Sequence, residues 1–227
     1  MKKKITDPNE LVKQFYNNFY DKTFNGDGLN GWAYRKTHKD LEKMFRRNFE
    51  KNILEIGAGN AQHLEFVKHD FLRYTMVDLC EQPKDLNDLR YKWIQGNIEE
   101  QQFEANHFDR ILSMCVFHHL DNPEKVMQLI NVWLKPGGTF SLFLPLDPSF
   151  ANRMNRRFIV LPRARKLGFA EYEVVNALEH KNHFWGLKTM LTYFFRDYEI
   201  QVEYKPFAKR VALLNLYSIW HLRKPLD

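Results

Sequence analysis

The sequence predicts an α/β fold built on a mainly parallel sheet, and three observations carry that prediction. Apolar runs of strand length alternate with helical stretches from Asn52 to Leu144, the pattern of βαβ units. A Gly-x-Gly turn, Gly57-Ala58-Gly59, directly follows the first run. An acid, Asp78, sits at the end of the second run, nineteen residues after Gly59.

Asp7-Pro8-Asn9-Glu10 reads as a helix start, with Asp7 as cap, Pro8 at the first helical position and Glu10 completing a capping box. Leu11, Phe15 and Phe19 then recur every four residues, as one helix face requires. Asn25 to Gly31 holds three glycines and is expected to be a loop. A second helix is expected from about Thr37 to Phe49, with Leu41, Phe45 and Phe49 on one face. Asn52–Ile56 is the first strand, and a helix is expected after the glycine turn, from about Ala61 to His69. Arg73–Leu79, Tyr91–Gln95 and Phe108–Phe117 are the next strands, Pro123–Leu134 a helix and Thr139–Leu144 the fifth strand. Lys135-Pro136-Gly137-Gly138 marks the turn between that helix and that strand. Beyond Pro145 the alternation stops. Asp147 to about Trp185 reads as an irregular, partly helical insertion, Gly186–Arg196 as a helix, and Tyr198–Phe207 with Arg210–Leu222 as a terminal strand pair.

The 227 residues, 44% of them hydrophobic, suffice for one sizeable core, and a charged fraction of 27% reads against disorder. No apolar run approaches the ~20 residues of a membrane span. Met1-Lys2-Lys3-Lys4 leads into polar sequence, unlike a signal peptide, so a cytoplasmic location is expected. Cys80 and Cys115 are too few for a disulfide framework or a zinc site, and no metal site is expected. Net charge is +6, and Phe150–Lys166 carries six basic residues (Arg153, Arg156, Arg157, Arg163, Arg165, Lys166) and no acid. Such a segment either attracts anions or lies as a solvated helix face.

A turn after the first strand of a doubly wound sheet lies where ligands bind, and a carboxylate at Asp78 can accept hydrogen bonds from both hydroxyls of a ribose. The dinucleotide fingerprint wants a third glycine where Gln62 stands. Glu55 precedes the turn, and an acid there suits a cationic ligand better than a pyrophosphate. The sulfonium and ammonium of S-adenosylmethionine (SAM) meet that description.

From Asn52 to Leu144 the sequence resembles the class I SAM-dependent methyltransferases in motif order and spacing. Leu54-Glu55-Ile56-Gly57-Ala58-Gly59 looks like the family's first motif, and Val77-Asp78-Leu79 like its ribose-binding acid. Gly96-Asn97-Ile98-Glu99 looks like the segment that brackets adenine. Phe108-Asp109-Arg110-Ile111-Leu112-Ser113 looks like the fourth strand, and Leu134-Lys135-Pro136-Gly137-Gly138-Thr139 like the turn into the fifth. The resemblance implies a Rossmann-like fold with a seven-stranded, mostly parallel sheet. Residues 1–50 would form an N-terminal helical cap. Residues 51–227 would form the SAM-binding domain, with an acceptor-side insertion at about 147–185. It also implies SAM as cofactor. Gly57, Ala58 and Gly59 would pass under the methionine part, Asp78 would hold the ribose and Leu79 would pack on adenine. Asn97 and Ile98 would meet the adenine edge, and Ser113 would offer backbone to the methionine end.

Methyl transfer needs an aligned acceptor and, for a hydroxyl, a base. Val116-Phe117-His118-His119-Leu120 follows the fourth strand, which in this family faces the transferable methyl. His119 matches the family's histidine best, with His118 as the neighbour that could replace it. Tyr20, Tyr34 and His38, with Tyr16 and Trp32, lie in the segment that in such folds closes over the acceptor. His180-Lys181-Asn182-His183 holds a His-x-x-His pair without an evident third metal ligand, so these read as surface histidines. Met114 and Cys115 stand where catechol-type enzymes carry a metal-binding carboxylate, so a metal-independent reaction is expected, with Cys115 a core thiol.

Ser113-Met114-Cys115-Val116 lacks the Asn/Asp-Pro-Pro-aromatic motif of adenine and cytosine amino-methyltransferases. The arginine-rich insertion resembles methyltransferases of bacterial surface-polysaccharide biosynthesis. That resemblance implies an anionic acceptor, a phosphate-bearing sugar, nucleotide-sugar or glycan, held by Arg153 and Arg157. A nucleic-acid (RNA) methyltransferase and a catalytically silent binding subunit of the same fold stay open at this stage.

Overall fold

The computed structural model describes residues 7–16, 18, 29–45, 49–207 and 214–226. Phe19, Tyr20 and positions 25–28 of the glycine-rich loop lie outside them. Strands β1 (Phe49–Ile56), β2 (Asp70–Asp78), β3 (Tyr91–Gln95), β4 (Phe108–Met114), β5 (Leu134–Pro145), β6 (Glu199–Lys205) and β7 (Tyr217–Arg223) form one sheet. Its order is β3-β2-β1-β4-β5-β7-β6, with β1 to β5 parallel and β7 antiparallel to both neighbours. This is the expected Rossmann-like arrangement. Strand order reverses between β1 and β4, so the loops after these two strands flank a crevice at the carboxyl edge.

The α-helices among the described residues are α1 (Pro8–Phe15), α2 (Leu29–Met44), α3 (Pro123–Trp133), α4 (Phe150–Asn155), α5 (Leu161–Lys166), α6 (Tyr172–Glu179) and α7 (Phe184–Phe194). Successive β1 residues face opposite sides of the sheet. Leu54 and Ile56 join Ile111, Phe140, Trp133 of α3 and Leu191 of α7, whereas Ile53 joins Met76, Leu112 and Leu41 of α2. Helices on both faces explain why the central strands are continuous apolar runs.

Polar bonds fix α2 to the sheet. Asp40 accepts from the Tyr217 hydroxyl of β7 at 2.7 Å. Glu42 accepts from Arg110 of β4 at 2.7 Å and pairs with His63 at 2.9 Å. Arg110 is fully buried, lies over the Phe45 ring at 3.7 Å and donates to Ser141 at 3.3 Å. Burial opposes ionisation of Glu42, but Arg110 and the two histidines His63 and His69 outweigh it and hold the carboxyl well below its usual range.

Several elements differ from the sequence expectation. Helix α2 begins at Leu29, so Leu29–Gly31 are helical, and it ends at Met44, leaving Phe49 to open β1. In place of a helix from Ala61 to His69 there is only a 3-10 turn, Gln62–Phe66. Ala61 enters it with a left-handed φ of 57°, and His63 is drawn inward to Glu42 and His38. Strand β4 stops at Met114 because Cys115 turns the chain with φ 58°. The Lys135–Gly138 turn is absorbed into β5, with a register shift against β4. The insertion is mostly helical: α4 continues through a π turn, Arg156–Val160, into α5, and α6 follows.

Helix α1 starts as expected, Asp7 accepting from the N–H groups of Asn9 (2.8 Å) and Glu10 (3.3 Å). The helices of the first fifty residues part company. While α2 joins the sheet, α1 packs on the insertion, where Leu11 and Phe15 share a separate apolar cluster with Leu161, Phe169 and Tyr172. No helix among the described residues is long and apolar enough to cross a membrane.

Candidate cofactor cleft and acceptor site

The glycine turn opens the carboxyl edge of the sheet. Gly57 and Gly59 take left-handed φ values of 73° and 54°, which glycine adopts without steric cost. A Cβ on Gly57 would overlap the Val116 side chain, whereas one on Gly59 would meet nothing within 4 Å. The Gly59 backbone therefore borders open space. Its N–H donates to Asp78 Oδ2 at 2.7 Å, and the N–H of Cys80 donates to Oδ1 at 2.8 Å. Gly57 N–H donates to the Val77 carbonyl and Gly96 N–H to the Asp78 carbonyl, both at 2.8 Å. The turns after β1, β2 and β3 are thus tied together around Asp78, whose two oxygens each keep a lone pair.

Around this centre, Leu79 stands 73% exposed, an apolar side chain at the rim. Asn97 accepts from the Glu99 N–H at 3.0 Å, and Ile98 and Ala58 are buried. Ser113 donates to the Ile56 carbonyl at 3.2 Å, joining β4 to β1. Glu55 does not face the cleft. It is 1% exposed and accepts from the Tyr74 hydroxyl at 2.9 Å, because strand alternation turns it into the core. Burial pushes its carboxyl up to about 8, which removes the negative charge expected beside the turn.

The loop after β4 carries the histidines. Asn182 donates its N–H to the His118 carbonyl at 3.1 Å and its side chain to the carbonyls of Phe117 (3.2 Å) and Leu120 (2.6 Å). From the other side Glu99 accepts from the N–H groups of Asp121 and Asn122 at 2.9 and 3.0 Å. The loop is therefore clamped between the segment after β3 and the α6–α7 connection. His119 Nδ1 lies 2.9 Å from the Glu179 carbonyl, which can only accept, so Nδ1 carries the proton and Nε2 a lone pair. Desolvation, reinforced by His180, lowers His119 to about 4, so it is neutral at pH 7.

His180 is not the surface histidine expected. Its ring centroid lies 4.5 Å from that of His118 and 5.3 Å from that of His119. Its Nδ1 is 3.2 Å from Asp147 Oδ2, which also accepts from Arg156 at 2.7 Å. His183 is exposed and outside this group. Nothing local in the sequence pairs His180 with residues so far upstream; the fold does.

Arg153, Arg156, Arg157 and Arg165 line a cavity of about 640 Å³ with Phe150 and Phe158. Tyr34 borders a smaller one of about 140 Å³ beside Gln62 and Phe66. His38 belongs to the buried network behind the glycine turn and not to an acceptor surface. It is 2% exposed, stacks on Phe66 and meets His63 at 2.8 Å; burial, then His63, lowers it to about 3. Burial also pushes the Cys115 thiol up to about 12, so it is no nucleophile at neutral pH. Asp147, Glu99, Glu179 and Asn182, which fix the histidine loop, were not among the expected site residues, since each acts across a long sequence separation.

Residues 54–142 match the family model described as a methyltransferase domain. A protein of Encephalitozoon cuniculi described as a methyltransferase is 28% identical over 150 residues, 62% of this chain and 66% of that protein. The malonyl-[acyl-carrier protein] O-methyltransferase of Halalkalibacterium halodurans is 28% identical over 137 residues, 52% of this chain and 51% of that one. The chain thus matches about half to two thirds of the length of these relatives. In fold it is similar to the N-methyltransferase NodS from Bradyrhizobium japonicum, solved with S-adenosyl-L-homocysteine, at a TM-score of 0.62 and 15% identity, covering 95% of this chain and 98% of that one. Residues 54–142 thus form a methyltransferase domain, and the seven-stranded sheet around it has the fold of the class I SAM-dependent methyltransferases.

Proposed function

We propose that this chain transfers a methyl group from SAM to an oxygen of a small anionic acceptor. The acceptor class is a phosphate-bearing sugar, nucleotide-sugar or glycan intermediate of surface-polysaccharide biosynthesis. The observation that carries the reading is the crevice between β1 and β4, with the Gly57–Asp78 cradle at one side and the His119 loop at the other.

The residues present fit SAM. The open space at Gly59 admits a ligand against the backbone, Asp78 keeps lone pairs for two ribose hydroxyls, and exposed Leu79 offers an apolar surface to adenine. Gly57 and Ala58 would pass under the methionine part, with Asn97 and Ile98 at the adenine edge and Ser113 at the methionine end. Bound SAM supplies an electrophilic methyl on cationic sulfur. His119 Nε2 takes the proton of the acceptor hydroxyl, with Glu179 orienting the ring and His118 behind it. Arg153 and Arg157 hold the acceptor's anionic group. The relative named as an O-methyltransferase supports oxygen as the accepting atom.

The test is transfer of labelled methyl from SAM over a panel of phosphorylated sugars, sugar nucleotides and tRNA. The reading expects label on a sugar-phosphate member. Label on tRNA alone would make this a nucleic-acid methyltransferase, and SAM binding without transfer to any member would leave a silent binding subunit.

A further inference from the structure

We infer that His118, His119 and His180 form a binding site for a divalent zinc-class cation. Two segments far apart in sequence bring these three imidazoles together, and one ligating nitrogen from each lies within 4.8 Å of the others. Tetrahedral zinc at ordinary Zn–N distances needs nitrogens roughly 3.3 Å apart. Rotation of the side chains has to close that difference when the metal binds.

The surroundings match what a histidine metal site requires. His119 Nδ1 donates to the Glu179 carbonyl and His180 Nδ1 faces the Asp147 carboxylate, which leaves Nε2 of each ring as the nitrogen for a metal. Such second partners fix tautomer and ring orientation, and a carboxylate behind the histidine raises its basicity as a ligand. His118 supplies an independent observation. Its side chain is 6% exposed and its Nδ1 has no hydrogen-bond partner, a cost that a metal ligand or its bound water removes. Burial disfavours the charged form of His118 and His119, and neutral imidazole is the ligating form. With three nitrogens bound, a fourth position stays open for water.

One consequence rests on the proposed function. A cation on His119 Nε2 occupies the lone pair that the acceptor's proton needs, so the loaded site is blocked and free zinc is an inhibitor.

The experiment uses the full chain without an affinity histidine tag. Co²⁺ is titrated and followed by visible absorption, and Zn²⁺ by calorimetry, with His180→Ala, Asp147→Asn and His183→Ala alongside. The site predicts one equivalent of Co²⁺ with the intense visible bands of low coordination. His180→Ala should weaken binding at least about 10²-fold, Asp147→Asn about 10-fold and His183→Ala not at all. Thermal unfolding checks that each variant is folded, and Asp147→Asn keeps the test open if His180→Ala is not. Equal Co²⁺ binding by wild type and by folded His180→Ala, or equal loss in His183→Ala, overturns the site. Inhibition of methyl transfer at the binding midpoint, absent in His180→Ala, supports the blocked state. Tight binding without inhibition upholds the metal site and overturns the role of His119 as base.

Discussion

The backbone N–H of Gly59 donates to the carboxylate of Asp78 at 2.7 Å, so the glycine turn after β1 and the acid at the end of β2 are a single structural unit. The spacing read in the sequence is therefore a physical contact. The same carboxylate accepts from Cys80, which fixes it where a ribose would arrive.

The two glycines should fail differently. Gly57→Ala meets Val116 and a left-handed φ of 73°, and should cost about 2 kcal/mol or more of stability. Val116→Ala in the same chain should recover part of that loss. Gly59→Ala meets only the unfavourable φ of 54°, so its stability cost should stay near ~1 kcal/mol. Its larger effect should be on SAM affinity, since the new methyl enters the open space. Denaturant unfolding and SAM titration of the three variants separate these outcomes; equal stability losses for the two glycines would contradict the geometry.

Glu55 should make stability fall with rising pH. Its folded carboxyl lies at about 8 against an ordinary 4.5, so the native state holds a proton that the unfolded chain releases. The favourable contribution is complete below about 4.5 and is lost as pH rises through 8. Glu55→Gln keeps an acceptor for Tyr74 and cannot ionise. Its stability relative to wild type should be near zero at pH 5 and favourable by ~1 kcal/mol or more at pH 9. A pH-independent difference in urea unfolding would sink this account.

Much of the fold was legible because the sheet's central strands are buried on both faces and read as apolar runs between turn residues. Strand β3, Tyr91–Gln95, falls where the pattern put it. The misreadings have physical causes. The helix expected to run to Phe49 is shorter, since α2 ends at Met44 and Phe49 already belongs to β1. The segment after Gly59 has helical spacing, yet His63 is pulled into a buried pair. In the site, the cradle residues were legible because they are contiguous with strands. Glu55 was misplaced because its charge was read without its strand face. His180 was missed because only tertiary packing delivers it to His118.

Replacing His119 with Ala should lower kcat by about 10²-fold or more and leave SAM affinity nearly unchanged. His118→Ala should act more weakly and partly through stability, since that side chain is buried. Single-turnover transfer with separate SAM titrations checks this. Near-wild-type turnover in both variants would mean that alignment alone carries the reaction.

Arg153 and Arg157 line one cavity even though the helix passes into a π turn between them. The double Arg153→Ala/Arg157→Ala variant should raise the acceptor's KM and soften its dependence on ionic strength, with SAM binding intact. Unchanged acceptor kinetics would make this pair a solvated helix face.

Calorimetric titration of SAM into the full chain probes the cleft at the β1–β4 switch point. Wild type should show saturable SAM binding. Asp78→Ala should weaken it by at least ~1 kcal/mol, the scale of hydrogen bonds to a charged group, while NADH gives no saturable heat. Saturable NADH binding with none for SAM would contradict a SAM-binding cleft.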